Sequence, residues 1–352
     1  MHRYLLLIAA LCFALGGNAL AFHDAGVAHC NGCHTMHNSE NGAWVDTDSP
    51  DGNAWLLKDE TPSDVCLSCH STGSRGVFAA DPLAPNGLNG GGDFVFLTED
   101  NLNDGHSGAS HPIVGDAAGH NIDAPSKGVS ADATLLAAPG GTFPSTALGC
   151  SSCHDPHGND GFRFLNTVGT IQDGLYTFTS ATPDAEGIDA RNTDELDDNH
   201  TAYKSGMSEW CGNCHGDFHD NSTKLIHPSG STLGGDVATA YGLYNGTEDI
   251  IGGNPLTSYL AAVPFEDANA AVASTDGPDA GSKVMCLTCH RAHASSAPNA
   301  GRWDFNVTLL EEDGVESGSL AIEDPYASPN QRSLCNKCHV KDAGDHIEIA
   351  AP

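Results

Sequence analysis

The sequence predicts a coil-rich fold with short helices, little β-sheet and a core that side chains alone do not fill. The chain has 352 residues, and its 41 glycines and 18 prolines interrupt almost every stretch. Aromatic residues make up only 7% of it, so few large side chains are available for packing. The third observation is a Cys-x-x-Cys-His motif that occurs six times. We therefore infer from that motif what fills the core.

A Cys-x-x-Cys-His motif is the attachment signature of a c-type haem, which two thioether bonds hold while the histidine binds the iron. One Cys-x-x-Cys alone is also compatible with a zinc knuckle or a redox disulfide. Six copies, which use twelve of the thirteen cysteines, indicate a covalent hexahaem c-type cytochrome. The predicted attachment residues are Cys30, Cys33, Cys66, Cys69, Cys150, Cys153, Cys211, Cys214, Cys286, Cys289, Cys335 and Cys338, and the predicted proximal ligands are His34, His70, His154, His215, His290 and His339.

Six porphyrins can replace much of a side-chain core, because burial of apolar surface contributes roughly 25 cal/mol per Å². Successive first cysteines are 36, 84, 61, 75 and 49 residues apart, which excludes equal structural repeats. We therefore expect residues 22–352 to form a single hexahaem domain that wraps along a row of haems. The haem chain would be its core, and the apoprotein is not expected to fold alone.

Residues 1–21 have the features of a secretory signal peptide. His2 and Arg3 precede an apolar run, LLLIAALCFAL, and the small residues ALA at positions 19–21 provide a cleavage site. The run is too short to span a membrane, and no later segment approaches ~20 apolar residues. We expect an exported protein without a membrane span, secreted to the cell surface or beyond it.

The chain is strongly acidic, since 14 Lys and Arg stand against 46 Asp and Glu and leave a formal net charge of −32. Nucleic-acid binding is excluded as a function, because phosphate contacts need basic patches. We interpret the acidity as a feature that keeps an exported protein soluble rather than as a specific cation-binding site.

Local patterns predict short elements at the attachment sites. Ser63 is expected to cap a turn that carries DVCLSCH, and SGMSEWCGNCH is expected to form a helix from Ser205 or Ser208. A third helical turn is expected over SPNQRSLCNKCH. Apolar alternation predicts isolated strand pairs near residues 94–97 and 175–178.

The second axial ligands are expected to be histidines, because twelve remain once the signal peptide and the proximal set are subtracted. A histidine three residues after its motif reaches at most roughly 10 Å, too short to circle the ring edge, so it would bind a different haem. The distal candidates are His37, His157, His219 and His293, which follow a motif closely, together with His120, His227 and, in reserve, His23 and His111. Surface positions are expected for His29, His106, His200 and His346, and poor ligand geometry for Met36, Met207 and Met285.

Two histidines on every iron leave no metal site for a substrate. The Cys-x-x-Cys-Lys motif of multihaem reductases is absent from the sequence. These observations favour an electron-transfer protein over an enzyme. A monomeric periplasmic or outer-surface shuttle or storage cytochrome, and a reductase with one five-coordinate haem, remain as alternatives.

Several blocks around the motifs resemble the extracellular hexahaem cytochromes that polymerise into conductive filaments, or cytochrome nanowires. These are FHDAGVAHCNGCHTMHN, AAPGGTFPSTALGCSSCHDPHG, GMSEWCGNCHGDFHDN, LIHPSG, CLTCHRAHAS and QRSLCNKCHVKDAG. The resemblance covers all six sites in the same order. The sequence departs from the family pattern by a shorter stretch between the fourth and fifth sites, by fewer histidines after His70 and by a tail that runs on to His346.

The resemblance implies a coil-rich fold around alternating parallel and T-shaped pairs of bis-histidine haems. It also implies that His37 binds the fifth haem, attached through Cys286, Cys289 and His290, in the next subunit. The partners would then be copies of the same chain, redox partner cytochromes and extracellular acceptors such as metal oxides. The sequence hypothesis is a head-to-tail filament that conducts electrons away from the cell.

Overall fold

The computed structural model describes residues 29–73, 76–86, 90–99, 102–103, 112–171, 174–188, 195–219, 228–246, 252–310, 325–328 and 331–339. The predicted signal peptide and the ligand candidates His23, His111 and His227 lie outside these ranges, as do His106 and His346. All six Cys-x-x-Cys-His motifs lie inside them.

Short helices and two-stranded antiparallel ladders are scattered through a coil-rich chain in the described ranges, which confirms the predicted fold class. The helices are α1 (Cys30–Cys33), α2 (Pro62–His70), α3 (Cys150–Cys153), α4 (Met207–His219), α5 (Gly234–Leu243) and α6 (Cys286–Cys289). The paired strands are β1 (Ser39–Glu40) with β2 (Ala43–Trp44), β3 (Leu102–Asn103) with β4 (Pro112–Ile113), β5 (Gly169–Ile171) with β6 (Tyr176–Phe178), and β7 (Asp184–Glu186) with β8 (Ala202–Ser205). Short 3-10 turns lie between them, among them Ala54–Leu56, Phe94–Thr98, Phe162–Phe164, Pro298–Ala300 and Leu334–Lys337.

Helix α2 begins two residues earlier than expected. Thr61 is its N-cap and accepts a hydrogen bond from the backbone N–H of Asp64 at 3.1 Å, while Pro62 occupies the first turn. The prediction that Ser63 is the cap is therefore wrong. Helix α4 begins at Met207, between the two predicted serines, because a carboxylate oxygen of Glu266 accepts the Met207 N–H at 2.6 Å.

One strand prediction is confirmed and the other is wrong. Residues 176–178 pair with β5, as the alternation predicted. Residues 94–98 form a 3-10 helix whose first turn is capped by the side chain of Asp93. Phe94, Val95, Phe96 and Leu97 are all buried, so no face alternates with solvent. Because all four side chains are buried, alternation between a buried and an exposed face no longer favours a strand over a tight turn.

Side-chain packing is divided among four separate hydrophobic clusters. The largest surrounds Phe94 and Phe96, and the second surrounds Tyr241 and Trp303. Each cluster borders at least one attachment cysteine: Cys150, then Cys289 and Cys338, then Cys211, and finally Cys214. The clusters therefore line the attachment positions rather than forming one core of their own. Within the described ranges, no helix is long and apolar enough to cross a membrane.

Candidate haem sites

Each Cys-x-x-Cys segment lies on a helical turn. Five lie on α1, α2, α3, α4 and α6, and the sixth lies on the 3-10 turn Leu334–Lys337, which is shorter than the helix expected there. Residues three apart share one face of such a turn, so both thiols point to the same side. At four sites the histidine N–H closes the turn on the first cysteine carbonyl; the donors are His34, His154, His290 and His339, at 2.9, 2.9, 3.0 and 2.9 Å.

The first, third and fifth sites share a second turn. After each proximal histidine the chain returns in an isolated bridge, which pairs His34 with Leu57, His154 with Leu165 and His290 with Gly301. Just before the bridge lie two consecutive non-glycine residues with positive φ, the first of which is Trp55 at 53°, Arg163 at 51° or Asn299 at 58°. A left-handed residue of this kind costs of order 1–3 kcal/mol, so its recurrence at three sites indicates a common geometric requirement.

That requirement is a carbonyl aimed at the imidazole. His34 Nδ1 donates to the Trp55 carbonyl at 2.9 Å, and the same bond recurs at the third and fifth sites. The distances are 2.9 Å from His154 to Arg163 and 3.0 Å from His290 to Asn299, and His215 at the fourth site donates to Pro139 at 2.8 Å. A backbone acceptor for Nδ1–H fixes the neutral tautomer in which Nε2 presents a lone pair to a metal.

Two candidate distal histidines stand opposite proximal ones. The ring centroids of His34 and His157 are 6.5 Å apart, with planes only 6° from parallel. Those of His120 and His215 are 5.9 Å apart at 37°. Two imidazoles on opposite faces of one iron, each with a metal–nitrogen bond of about 2 Å, have centroids roughly 6 Å apart. The centroid separations of both pairs therefore match that of two axial imidazoles on one haem iron.

The candidate ligand His293 packs against the largest hydrophobic cluster. Its ring stacks on Phe94 with centroids 4.5 Å apart, and its Nδ1 donates to the Gly92 carbonyl at 3.3 Å. Burial, and after it the neighbouring His154, lowers the pKa of His293 to about 3. The ring is thus held neutral, as a metal ligand must be, and it lies near the proximal histidine of the third site.

The remaining candidates lie in different surroundings. His219 is on α4, one turn after His215, and its buried Nδ1 has no hydrogen-bond partner among the described residues. His37 is exposed beside the first site. His200 is buried against Tyr259, with ring centroids 3.6 Å apart, so its predicted surface position is wrong. Both ring nitrogens of His200 face backbone carbonyls, of Thr201 at 3.2 Å and Ser274 at 2.9 Å, which leaves neither for a metal.

Of the three methionines considered as ligands, two are buried and one is exposed. Met207 and Met285 are buried in one hydrophobic cluster with Leu287, which makes them packing residues. Met36 is 72% exposed.

Neighbouring sites contact one another through their first cysteines in two places. Helix α2 packs against α3, and α4 packs against α6. In the first of these pairs Ser63 Oγ accepts from the Cys150 N–H at 3.3 Å, and a hydrogen bond with Cys150, followed by burial, raises the pKa of Cys66. In the second pair, Ser208 Oγ accepts from the Cys286 N–H at 3.3 Å. A hydrogen bond with Cys286, followed by burial, raises the pKa of Cys211.

The other neighbouring sites approach through their second cysteines. Burial, and then Cys69, raises the pKa of Cys33. Burial followed by Cys214 raises the pKa of Cys153 to about 12, and burial followed by Cys338 raises that of Cys289 to about 12. The six sites therefore form a row in chain order, in which first-cysteine and second-cysteine contacts alternate.

In the ranges given above, no group of three or more His, Cys, Asp or Glu side chains is placed to hold a metal ion. The twelve motif cysteines form no disulfide bonds with one another.

Six such turns in a row define a multihaem c-type cytochrome. The chain is 32% identical, over 413 aligned positions, to the C-type cytochrome OmcS of Geobacter sulfurreducens, and the match covers 92% of this chain and 95% of that protein. The chain belongs to the family of that cytochrome. No protein-family model matches it.

Two solved structures have the same fold. One is described as the Outer Membrane Cytochrome S Filament from Geobacter sulfurreducens, with a TM-score of 0.77, 31% identity, and coverage of 91% of this chain and 100% of that chain. The other is described as a cryo-EM structure of the OmcS nanowires from the same organism, with a TM-score of 0.74, 32% identity and the same coverage.

Proposed function

We propose that this protein is an exported hexahaem cytochrome that assembles head to tail into an extracellular filament and conducts electrons from the cell to acceptors outside it. The observation that carries the proposal is the succession of six attachment turns in which α2 packs against α3 and α4 packs against α6, each pair joined by a hydrogen bond from the N–H of the next attachment cysteine to a serine hydroxyl. A continuous row suits conduction along the chain better than catalysis at one open iron. The likeness to two structures described as filament and nanowires supports the assembly.

The proposed attachment residues are the twelve motif cysteines, with the following histidine of each motif as proximal ligand. His157 is the proposed distal ligand at the first site, His293 at the third and His120 at the fourth. His219, His227 and His23 are the candidates for the second and sixth sites. His37 would serve the fifth site of the next subunit, as the family resemblance implies.

The chain's own residues hold and orient the ligands. Carbonyls of Trp55, Pro139, Arg163 and Asn299 fix the proximal rings, and those of Ala292 and Gly92 do the same for two distal rings. Bound haems would supply the one-electron chemistry. With two histidines at each iron no position is left for a substrate, so we propose no enzymatic activity.

Export and partners complete the proposal. Residues 1–21 would be removed as a signal peptide, and residues 22–352 would form one hexahaem domain. Redox partner cytochromes would deliver electrons, and extracellular acceptors such as metal oxides would take them.

Electron microscopy of material shed by expressing cells, combined with the intact mass of the mature chain, tests the proposal. We expect filaments built from a chain that starts near Phe22 and carries six haem masses. Six haems in a protein that stays monomeric at all concentrations would favour the shuttle. A full equivalent of high-spin ferric haem in electron paramagnetic resonance would favour the reductase.

A further inference from the structure

The fourth attachment site differs from the first, third and fifth in the origin of the carbonyl that orients its proximal histidine. At those three sites the carbonyl belongs to a residue 9 or 21 positions after the histidine. At the fourth site His215 Nδ1 donates at 2.8 Å to Pro139, which precedes it by 76 positions. Pro139 lies in residues 137–144, a turn that leads toward the third attachment site and that we call the strap. The proximal ligand of the fourth site is therefore oriented by the segment of the third.

The strap is a closed turn that is anchored in a hydrophobic cluster. Its end residues, 137 and 144, pair in an isolated antiparallel bridge, and inside the turn the Ala138 N–H donates to the Phe143 carbonyl at 2.8 Å. Phe143 is buried, and Cys214 of α4 packs against the same cluster. The strap is thus held in one shape and lies against α4 beside the second cysteine of the fourth site.

Helix α4 changes its backbone conformation at the proximal histidine, where the strap meets it. The Asp217 N–H donates to the Gly140 carbonyl at 2.8 Å, outside the helix. The Asn213 carbonyl, which lies four residues before that donor, accepts from the Tyr176 hydroxyl at 3.0 Å. Between these two groups His215 has φ −117° and ψ 41°, far from helical values. The strap therefore contacts the backbone around His215 and also supplies the acceptor for its ring.

Gly141 makes this close approach possible. A Cβ at Gly141 would overlap the backbone carbonyl oxygen of Cys214. A backbone atom cannot move aside as the end of a flexible side chain can, so a larger residue must lift the strap off α4. Gly216 provides a contrast, because it follows His215 directly in α4 but a Cβ there would meet no atom of the described residues within 4 Å. Alanine should therefore displace the strap at the first position and fit at the second.

We propose that the strap lowers the reduction potential of the haem at the fourth site, and that Gly141 is the positioning residue that lets it do so. The inference rests on the proposed function, which places a haem at that site. A carbonyl that accepts from Nδ1–H makes the imidazole a more basic ligand, and a more basic ligand stabilises the ferric ion against gain of an electron. Loss of this hydrogen bond should therefore raise the potential of that haem alone. The potential difference between the third and fourth haems then depends on the contact between the strap and α4.

A redox titration of the holoprotein, followed by haem absorbance and combined with intact mass to count the haems, tests the proposal. In Gly141→Ala we expect six haem masses and one component that shifts to higher potential, while the other five stay in place. The low-spin electron paramagnetic resonance signal of that haem should change too, because its imidazole is no longer held in one orientation. In the matched control, Gly216→Ala, all six components should coincide with those of the unsubstituted protein. His120→Ala, which removes the proposed distal ligand of the fourth site, identifies the component of that haem.

A second variant, Tyr176→Phe, loosens the same contact without adding an atom. The Tyr176 hydroxyl lies 3.3 Å from Thr142 Oγ1 in the strap and donates to the Asn213 carbonyl in α4, so it joins the two. The fourth-site component should shift in the same direction by a smaller amount, and this variant decides the matter if Gly141→Ala loses a haem. An unchanged fourth-site component in every variant that retains six haems, or a shift to lower potential in either, would overturn the proposal. Fewer than six haems in the unsubstituted protein would instead refute the proposed function itself.

Discussion

The first and fifth sites have the same local geometry in different surroundings. Each has a single-turn Cys-x-x-Cys helix and a left-handed residue whose carbonyl accepts from the proximal Nδ1. In the first-site segment, residues 29–58, Met36, Trp44 and Trp55 are 72%, 57% and 63% exposed. In the fifth-site segment, residues 285–305, Trp303 is 1% exposed and packs in a cluster beside Cys289, whereas Phe305 is 39% exposed and His290 is exposed. The motif therefore sets the local turn, and the rest of the chain decides how many of the large side chains around it are buried.

Exposed apolar residues clustered beside an attachment site are typical of an interaction surface. In the proposed filament, a haem and the next subunit cover this segment, and the exposed His37 reaches the fifth site of that neighbour. The predictions that follow test this contrast, from the largest expected effect to the smallest.

Substitution of His37 should have the largest effect, because it changes assembly and coordination together. His37→Ala should leave one haem per subunit without its sixth ligand and abolish most filament formation, while six haem masses are retained. Filament yield by electron microscopy and the high-spin fraction by electron paramagnetic resonance are the measurements. His29→Ala is the control, because His29 is also exposed in this segment. Normal filaments with only low-spin haem in His37→Ala would show that His37 is not the trans ligand.

The two tryptophans should differ in their effect on the stability of the separated subunit. Trp303→Ala should destabilise it by about 3–5 kcal/mol, because the side chain fills a packed cluster. Trp44→Ala should change the free energy of unfolding by less than about 0.5 kcal/mol, because most of that side chain faces solvent. Thermal unfolding followed by near-UV circular dichroism measures both. Equal losses would mean that the first-site segment is as tightly packed as the fifth.

Alanine substitutions at two glycines with similar φ separate the effect of steric packing on stability from that of backbone strain. At Gly42, in the β1–β2 turn with φ 81°, an added methyl group would meet no atom within 4 Å, whereas at Gly92, with φ 77°, it would collide with the Ala294 carbonyl of the fifth-site segment. Gly42→Ala should cost about 1–2 kcal/mol from the left-handed backbone alone. Gly92→Ala should cost more and should also perturb one low-spin haem spectrum, because the Gly92 carbonyl holds His293. A purely thermal effect, with an unchanged spectrum, would argue against His293 as a ligand.

Part of the fold and of the sites was predictable from the sequence, and the rest was not, for physical reasons. The attachment turns and the coil-rich fold followed from the motif and from the glycine and proline content. The carbonyls that orient the histidines did not, because residues 54–56, 162–164 and 298–300 share a backbone shape but no residue pattern. The facing of His34 and His157 is a contact across 123 positions (157 − 34), which local patterns do not encode. His200 was misplaced because nothing near it in sequence indicates Tyr259 as its neighbour.

The smallest expected effect is a pair of opposite pH responses. In the first-site segment the side chain of Asn53, the largest influence, donates to Asp46 and lowers the pKa of that carboxyl. Burial raises the pKa of Glu266, which lies near the first cysteine of the fifth site. A carboxyl group whose pKa is lower in the folded state stabilises the fold at pH values above its unfolded-state pKa, and this stability is lost as the pH falls through the folded-state pKa. A carboxyl group whose pKa is higher in the folded state stabilises the fold below its unfolded-state pKa, and this stability is lost as the pH rises through the folded-state pKa.

Acidification should therefore weaken the loop around Asp46 and relieve the strain of a buried charge at Glu266. Asp46→Asn should flatten the loss of stability at low pH, and Glu266→Gln should flatten the loss as the pH rises from about 4.5 toward neutrality. Each change is expected to be below about 1.5 kcal/mol, the scale of one hydrogen bond. Melting temperatures of the separated subunit across this pH range, compared between the two variants, provide the measurement. If both variants shifted the profile in the same direction, the exposed and enclosed sites would not differ electrostatically, and the contrast between them would rest on packing alone.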